Sequence, residues 1–232
     1  MYPPPSTHLN IGLATHAWAL YRKYPWQWIA AASIACGIQA ALWLLIVRLV
    51  ERPEPESTSP ALYYLFIMGL LALISGCNNL FQVGLCRLAL DQLAGEPLRL
   101  GRLFKPTAGI GVTLVTSFVV ALVTQLGYGM FYIPGLVLQG VFLLVTPILA
   151  ERKLGMQATL KLSVETLQPE LINAILFAMF LDFLTGFAGS AMSSPVWPLT
   201  LAGVIVIYPL VPQIQALLYR SYFPYRTYEY RG

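Results

Sequence analysis

The chain has 232 residues, of which 57% are hydrophobic and only 10% are charged, and its mean hydropathy is +0.68. A soluble domain carries roughly 25% charged residues, so this composition excludes a soluble globular domain, a disordered chain and a small disulfide scaffold, and points to an integral membrane protein. The net charge of +4 comes from 14 Lys and Arg against 10 Asp and Glu; the basic residues flank apolar runs, as membrane topology requires, and no nucleic-acid partner is expected.

A hydrocarbon core about 30 Å thick takes about 20 helical residues. The 24 uncharged residues between Lys23 and Arg48 predict a first span over 26–47. Glu51, Glu54 and Glu56, interleaved with Pro53 and Pro55, follow as an extended, solvated acidic loop. The 30 uncharged residues between Glu56 and Arg87 predict a second span over 61–86. Its helix is expected to continue past the membrane through Leu88, Asp91 and Gln92 to Gly95. The 45 uncharged residues between Lys105 and Glu151 hold two spans, 107–126 and 134–150, with the turn at Gly127-Tyr128-Gly129. The 49 residues between Glu170 and Arg220 contain one charge, Asp182. They hold spans 171–192 and 196–219, turning at Ser193-Ser194-Pro195.

The sum is one all-α transmembrane domain over 1–232 with six transmembrane helices. An even number of spans puts twelve Lys and Arg on the side of the termini and only Arg48 and Arg52 on the other. The positive-inside rule then places both termini in the cytoplasm, in a bacterial inner membrane. No A-x-A-like site follows the first span, so a cleaved signal peptide is not expected.

Two cytoplasmic segments match each other, Ile11–Pro25 and Leu154–Pro169. Leu13, Ala17, Tyr21 and Tyr24 in one, and Met156, Leu160, Val164 and Leu167 in the other, share spacings of 4, 4 and 3, which is one helix face. Each ends in Pro, suited to the first turn of the next helix. The expected architecture is three hairpins, each fed by an interfacial amphipathic helix. Trp18, Trp26, Trp28, Trp43 and the tyrosines from Tyr219 to Tyr230 are expected in aromatic belts. Ala31 and Ala35, Ala72 and Gly76, and Gly186 and Gly189 are expected where helices approach closely.

Several stretches carry a resemblance: the run from Gly84 through Arg87, Asp91 and Gln92 to Pro97, the motif Tyr132-Ile133-Pro134-Gly135, and the run from Thr146 through Glu151 to Ala158. Together they resemble the six-span bacterial proteins of the glycerophosphoryl diester phosphodiesterase membrane-domain family. In those phosphodiesterases catalysis belongs to a separate soluble domain. The resemblance therefore implies topology and membrane residence, not hydrolysis.

The search for chemistry is short. His8 and His16 both precede the first span, so no imidazole is available inside the bilayer to hold a haem-like pigment, and no cofactor is expected. Cys36, Cys77 and Cys86 form no CxxC and read as buried apolar side chains. No nucleophile elbow, Walker loop or zinc spacing occurs, so no enzyme is expected. Gly109-Ile110-Gly111 lies at a span entrance and is assigned to helix packing.

Asp182 stands out as a charge near the middle of a span, where insertion costs a few kcal/mol and ionisable residues face the bundle interior. No Lys or Arg shares its depth. The neighbours expected for it are the amides Asn78, Asn79 and Gln82 of the second span, Gln39 of the first, Gln125 of the third, and Gln213 and Gln215 of the sixth. Two readings follow. In the first, a protonated Asp182 glues helices together in a non-catalytic scaffold or accessory subunit whose partners are membrane lipids and other membrane subunits. In the second, Asp182 is the proton- or cation-linked site of a small-molecule or lipid transporter, with Pro209 and Pro212 breaking or kinking the sixth helix. The sequence reading prefers the first, and a cavity reaching Asp182 would favour the second.

Overall fold

The computed structural model describes residues 12–50, 60–192 and 207–224, and all regular structure among them is helical. Helix α1 is Gly12–Tyr21, α2 is Pro25–Val50 and α3 is Pro60–Leu93. A short 3-10 turn, Leu100–Phe104, precedes α4 at Ile110–Met130. Next come α5 (Tyr132–Val141), α6 (Val145–Glu151) and α7 (Met156–Leu167). A second 3-10 turn, Gln168–Glu170, leads into α8 at Leu171–Met192, and α9 is Tyr208–Tyr222. The predicted acidic loop, His8, the predicted turn at Ser193-Ser194-Pro195, the first half of the predicted sixth span and Tyr225, Tyr228 and Tyr230 lie outside the described residues.

Three stretches among the described residues are long and apolar enough to cross a membrane: Ile110–Met130, Tyr132–Glu151 and Met156–Thr185. Their outward faces carry large apolar side chains, with Ile133 72% and Ile172 75% exposed. A surface in water rarely carries so many exposed apolar side chains; in hydrocarbon they are solvated. In a membrane every backbone polar group must be bonded within the chain, and a helix meets that condition.

Helix α3 is central. It packs against α4, α6, α9 and the first 3-10 turn, while α4 pairs with α5, α5 with α8, and α1 with α9. Much of the packing therefore runs across the predicted hairpins, with α3 against α4 and α5 against α8. Glycines set these distances. A Cβ on Gly76 would come 3.3 Å from the Phe118 backbone of α4, and one on Gly140 would come 2.8 Å from Ile175 of α8. Ala31, Ala35 and Ala72 are buried, as their spacing implies.

The turn predicted at Gly127-Tyr128-Gly129 is displaced. Helix α4 continues to Met130, and the chain reverses at Phe131 in an extended conformation. Gly127 serves a different purpose: its Cβ would come 3.0 Å from the backbone of Gly135, so the pair lets α4 and α5 cross closely. The helix predicted over 134–150 is also broken. Pro147 has no N–H for the carbonyl of Leu143, and the helix interrupts at residues 142–144 between α5 and α6.

Helix α7 docks at that break. Ser163 donates from Oγ to the Val141 carbonyl at 2.7 Å, satisfying an acceptor freed where α5 ends. The buried face of α7 is thus Thr159, Ser163 and Leu167, with Met156, Leu160 and Val164 only partly covered. The predicted apolar face is rotated because a hydrogen bond, and not apolar burial, orients this helix. Helix α1 follows its prediction at Leu13, Ala17 and Tyr21, all buried, but leaves Tyr24 exposed. Trp28 is not a belt residue. It is 1% exposed and donates from Nε1 to Gln92 Oε1 at 2.9 Å. Gln92 Nε2 in turn donates to the Leu20 carbonyl at 2.7 Å, tying α1 and α2 to the end of α3.

Two glycines meet a backbone requirement. Gly95, φ +79°, ends α3, with its N–H on the Gln92 carbonyl. Gly109, φ +89°, caps α4 and has open space around it, so its role is conformational and the packing assignment from sequence is corrected.

Candidate functional site: a polar cavity around Asp182

A cavity of about 670 Å³ opens among α3, α4, α5, α6, α8 and α9. Its walls are polar for a site in an apolar bundle. Helix α3 contributes Ser75, Asn78, Asn79 and Gln82; α4 contributes Thr124, Gln125 and Tyr128. Tyr132 and Gln139 come from α5, Thr146 from α6, Asp182 and Thr185 from α8, and Gln215 from α9. The spacing of Ser75, Asn78, Asn79 and Gln82, with gaps of 3 or 4 residues from one turn to the next, puts all four on one side of α3.

Asp182 is exposed to this space. Its Oδ1 accepts from Nε2 of Gln139 on α5, and Gln139 Oε1 accepts from the Tyr128 hydroxyl of α4. The three side chains link three helices in a relay with one direction of donation, Tyr128 to Gln139 to Asp182. Thr185 on α8 donates back to the carbonyls of Leu181 and Asp182, at 3.0 and 3.1 Å. On the opposite wall Gln125 donates to Ser75 Oγ at 3.2 Å. Gln82 donates from Nε2 to the Tyr208 hydroxyl at 2.8 Å, and that hydroxyl donates to Gln39 Oε1 at 3.3 Å.

Several polar atoms in the wall have no hydrogen-bond partner among the described residues. They are Asn78 Oδ1, Gln82 Oε1, Thr124 Oγ1, Gln125 Oε1 and Gln215 Oε1. An unsatisfied polar atom in a dry core costs about 1–3 kcal/mol. None of the five has surface open to the cavity, so each lies behind its wall.

The cavity has two unlike ends. Tyr128 and Tyr132 stand at the α4–α5 turn, their ring centroids 5.4 Å apart, and Tyr132 is 67% exposed. At the far end, below Thr146 and Gln215, the bundle is solid. Leu85 and Leu88 of α3, Ile148 and Leu149 of α6, and Ile214, Leu218 and Tyr219 of α9 are all buried there in one core. Beyond them charges tie the chain ends together. Arg220 pairs with Glu151, and Arg152 donates from Nε to the Tyr219 hydroxyl at 2.8 Å while its guanidinium lies 4.3 Å from the Phe223 ring centre. Tyr222 donates to Glu170 at 3.2 Å; burial, and then the adjacent carboxylate, push its phenol above the ordinary value.

Of the residues predicted around Asp182, the structure brings Asn78, Asn79, Gln82, Gln125 and Gln215 into the same cavity. Gln39 and Gln213 are not part of it. Gln39 reaches it only through Tyr208 and Gln82, and Gln213 is fully buried elsewhere in α9. Periodicity explains the difference: Gln213 and Gln215 are two residues apart, about 200° around a helix, and cannot share a face. The residue that binds Asp182, Gln139, is absent from the sequence-based set. No group of three or more potential metal ligands occurs among the described residues. No family model, curated protein or solved structure matches the chain.

Proposed function

We propose that the chain is a non-catalytic, six-span protein of a bacterial inner membrane, with both termini cytoplasmic, whose cavity at Asp182 binds a small polar solute and passes it across the bilayer. In this topology α2, α3, α4, α5–α6, α8 and the helix ending in α9 are the spans. At 1.5 Å per residue, α2 and α3, of 26 and 34 residues, are about 39 and 51 Å long, which supports counting them. The Tyr128–Tyr132 end then faces outward, and the packed end with Arg152 and Arg220 faces the cytoplasm. A path open on one side and closed on the other is what a carrier needs at rest.

The observation that carries the reading is the cavity itself. A scaffold that uses Asp182 only as glue has no use for 670 Å³ of polar space beside it. The accessory-subunit reading preferred from sequence therefore gives way to solute handling. The resemblance to phosphodiesterase membrane domains contributes topology alone.

The test is uptake by proteoliposomes of labelled small solutes spanning cationic, neutral and anionic classes. Wild-type protein is expected to accumulate at least one of them. Asp182→Asn, which keeps the shape and an acceptor for Gln139, is expected to melt at the wild-type temperature and to transport none. Equal uptake by the variant, or no uptake by the wild type, would overturn the proposal.

A further inference from the structure

Helix α9 takes part in the cavity wall, in the solid floor beneath it and in the charged closure below that. We infer, resting on the solute-passing reading above, that α9 is the inner gate of the cavity. It pivots at Pro209 and Pro212 and is latched shut by Tyr219, Arg220 and Tyr222 against Arg152, Glu151 and Glu170.

Wall, floor and latch follow one another along the helix. Val211 and Gln215 line the cavity. Ile214 and Leu218, one turn apart on the same face, are 1% and 0% exposed in the core beneath it. The last turn then makes the latch: Arg220 pairs with Glu151, the Tyr219 hydroxyl accepts from Arg152, and Tyr222 donates to Glu170. Helix α6 also reaches all three levels, but its end is fixed through its backbone. The Leu149 carbonyl accepts from the Ala108 N–H at 3.2 Å, and the Ala150 carbonyl accepts from Thr107 Oγ1 at 2.6 Å. The end of α9 is held to its neighbours by side chains among the described residues, so α9 is the partner that can move.

The start of α9 supplies the pivot. The Tyr208 hydroxyl joins Gln82 of α3 and Gln39 of α2, at 2.8 and 3.3 Å. Pro212 has no N–H for the Tyr208 carbonyl, so the helix lacks a bond just beyond that anchor. Between pivot and latch lies Gln213. It is 0% exposed, and neither Nε2 nor Oε1 has a partner among the described residues. A buried amide with both ends unmatched disfavours the packing that holds it. The latch offsets this in the shut state. Once the latch is released, a swing about the prolines draws Ile214 and Leu218 out of the floor and brings Gln213 to water. One state is held by polar side chains at the rim and the other by hydration of Gln213, which makes α9 a two-state element.

The test is cysteine labelling from the cytoplasmic side, with a membrane-impermeant maleimide on inside-out membrane vesicles. The reporter is Thr146→Cys at the inner end of the cavity, in the full chain with Cys36, Cys77 and Cys86 replaced. With the latch intact it is expected to react slowly. Glu151→Gln, which keeps the shape and removes the ion pair, is expected to raise the rate about tenfold or more by shifting the population toward the open state. Exchanging the charges, Glu151→Arg with Arg220→Glu, should restore the slow rate. Gln213→Leu removes the unmatched amide. It should raise the melting temperature, and added to Glu151→Gln it should return labelling toward the slow rate, which a merely structural salt bridge does not predict. Where Glu151→Gln does not fold, Tyr222→Phe serves instead. It deletes the bond to Glu170, leaves every charge in place and is expected to speed labelling in the same direction.

Unchanged labelling in the latch variants overturns the gate. So does an equal rise at Leu144→Cys in the solid core, which reports general loosening. Labelling of Glu151→Gln that Gln213→Leu does not slow overturns the part given to Gln213. Solute uptake keeps the two readings apart. Uptake by the wild type with latch variants inert at the inner side leaves solute passage standing and removes the gate. Faster inner labelling in the variants, with no solute taken up by the wild type, leaves the motion of α9 standing and removes solute passage.

Discussion

Gln139 holds the site together more than its sequence context announces. It receives the Tyr128 proton and presents its own to Asp182, so one amide orients a residue on each of two neighbouring helices. Replacing it with Leu removes both bonds at once. Intramembrane hydrogen bonds are individually modest, so Gln139→Leu is expected to cost about 1–2 kcal/mol in all. Thermal unfolding in detergent would register this as a few degrees. Gln139→Glu should be worse, because it sets a second carboxylate against Asp182; a Glu variant as stable as wild type would contradict the geometry described here. Asp182 was legible from sequence because it is the one charge in a run of 49 residues. Its partner was not, because an uncharged amide in a span carries no mark of its neighbour. Which helices touch depends on packing, and hydropathy is silent on that.

Between elements, small residues decide how near two backbones come. Gly140 and Gly76 sit where a side chain would strike Ile175 of α8 and Phe118 of α4. Overpacking such contacts costs typically 1–3 kcal/mol. Gly140→Leu and Gly76→Leu are therefore expected to lower the melting temperature, and Gly140→Leu should also disturb the cavity, since it separates Gln139 from Asp182. Gly111 lies in α4 with open space around it. Gly111→Ala should leave stability unchanged or raise it slightly through helix propensity. Equal tolerance at all three positions, measured side by side, would contradict the packing described. The sequence located most of these helices within a few residues, because charge-free runs of the right length have few alternatives in a bilayer. It misplaced the α4–α5 turn because glycine marks both turns and close crossings, and Gly127 belongs to the second kind. The orientation of α7 escaped for a related reason: Ser163 is drawn inward by the Val141 carbonyl, which is free because the facing helix is interrupted and Val145 N–H bonds Phe142 instead.

At the scale of the whole molecule the two ends of the bundle differ in construction. One carries an exposed tyrosine pair above polar space, and the other carries a packed core closed by Arg220–Glu151 and Arg152–Tyr219. In the topology proposed above, the second end faces the cytoplasm. The central claim is that water enters from outside as far as the level of Asp182. Cysteine accessibility in intact cells measures this directly. In a background with Cys36, Cys77 and Cys86 replaced, Asp182→Cys on the cavity wall and Leu144→Cys in the solid core are treated with a membrane-impermeant maleimide. Asp182→Cys is expected to be labelled from outside, while Leu144→Cys stays unlabelled. An Asp182→Cys thiol that resists the reagent in intact cells, or that reacts only after the membrane is opened, would contradict the account.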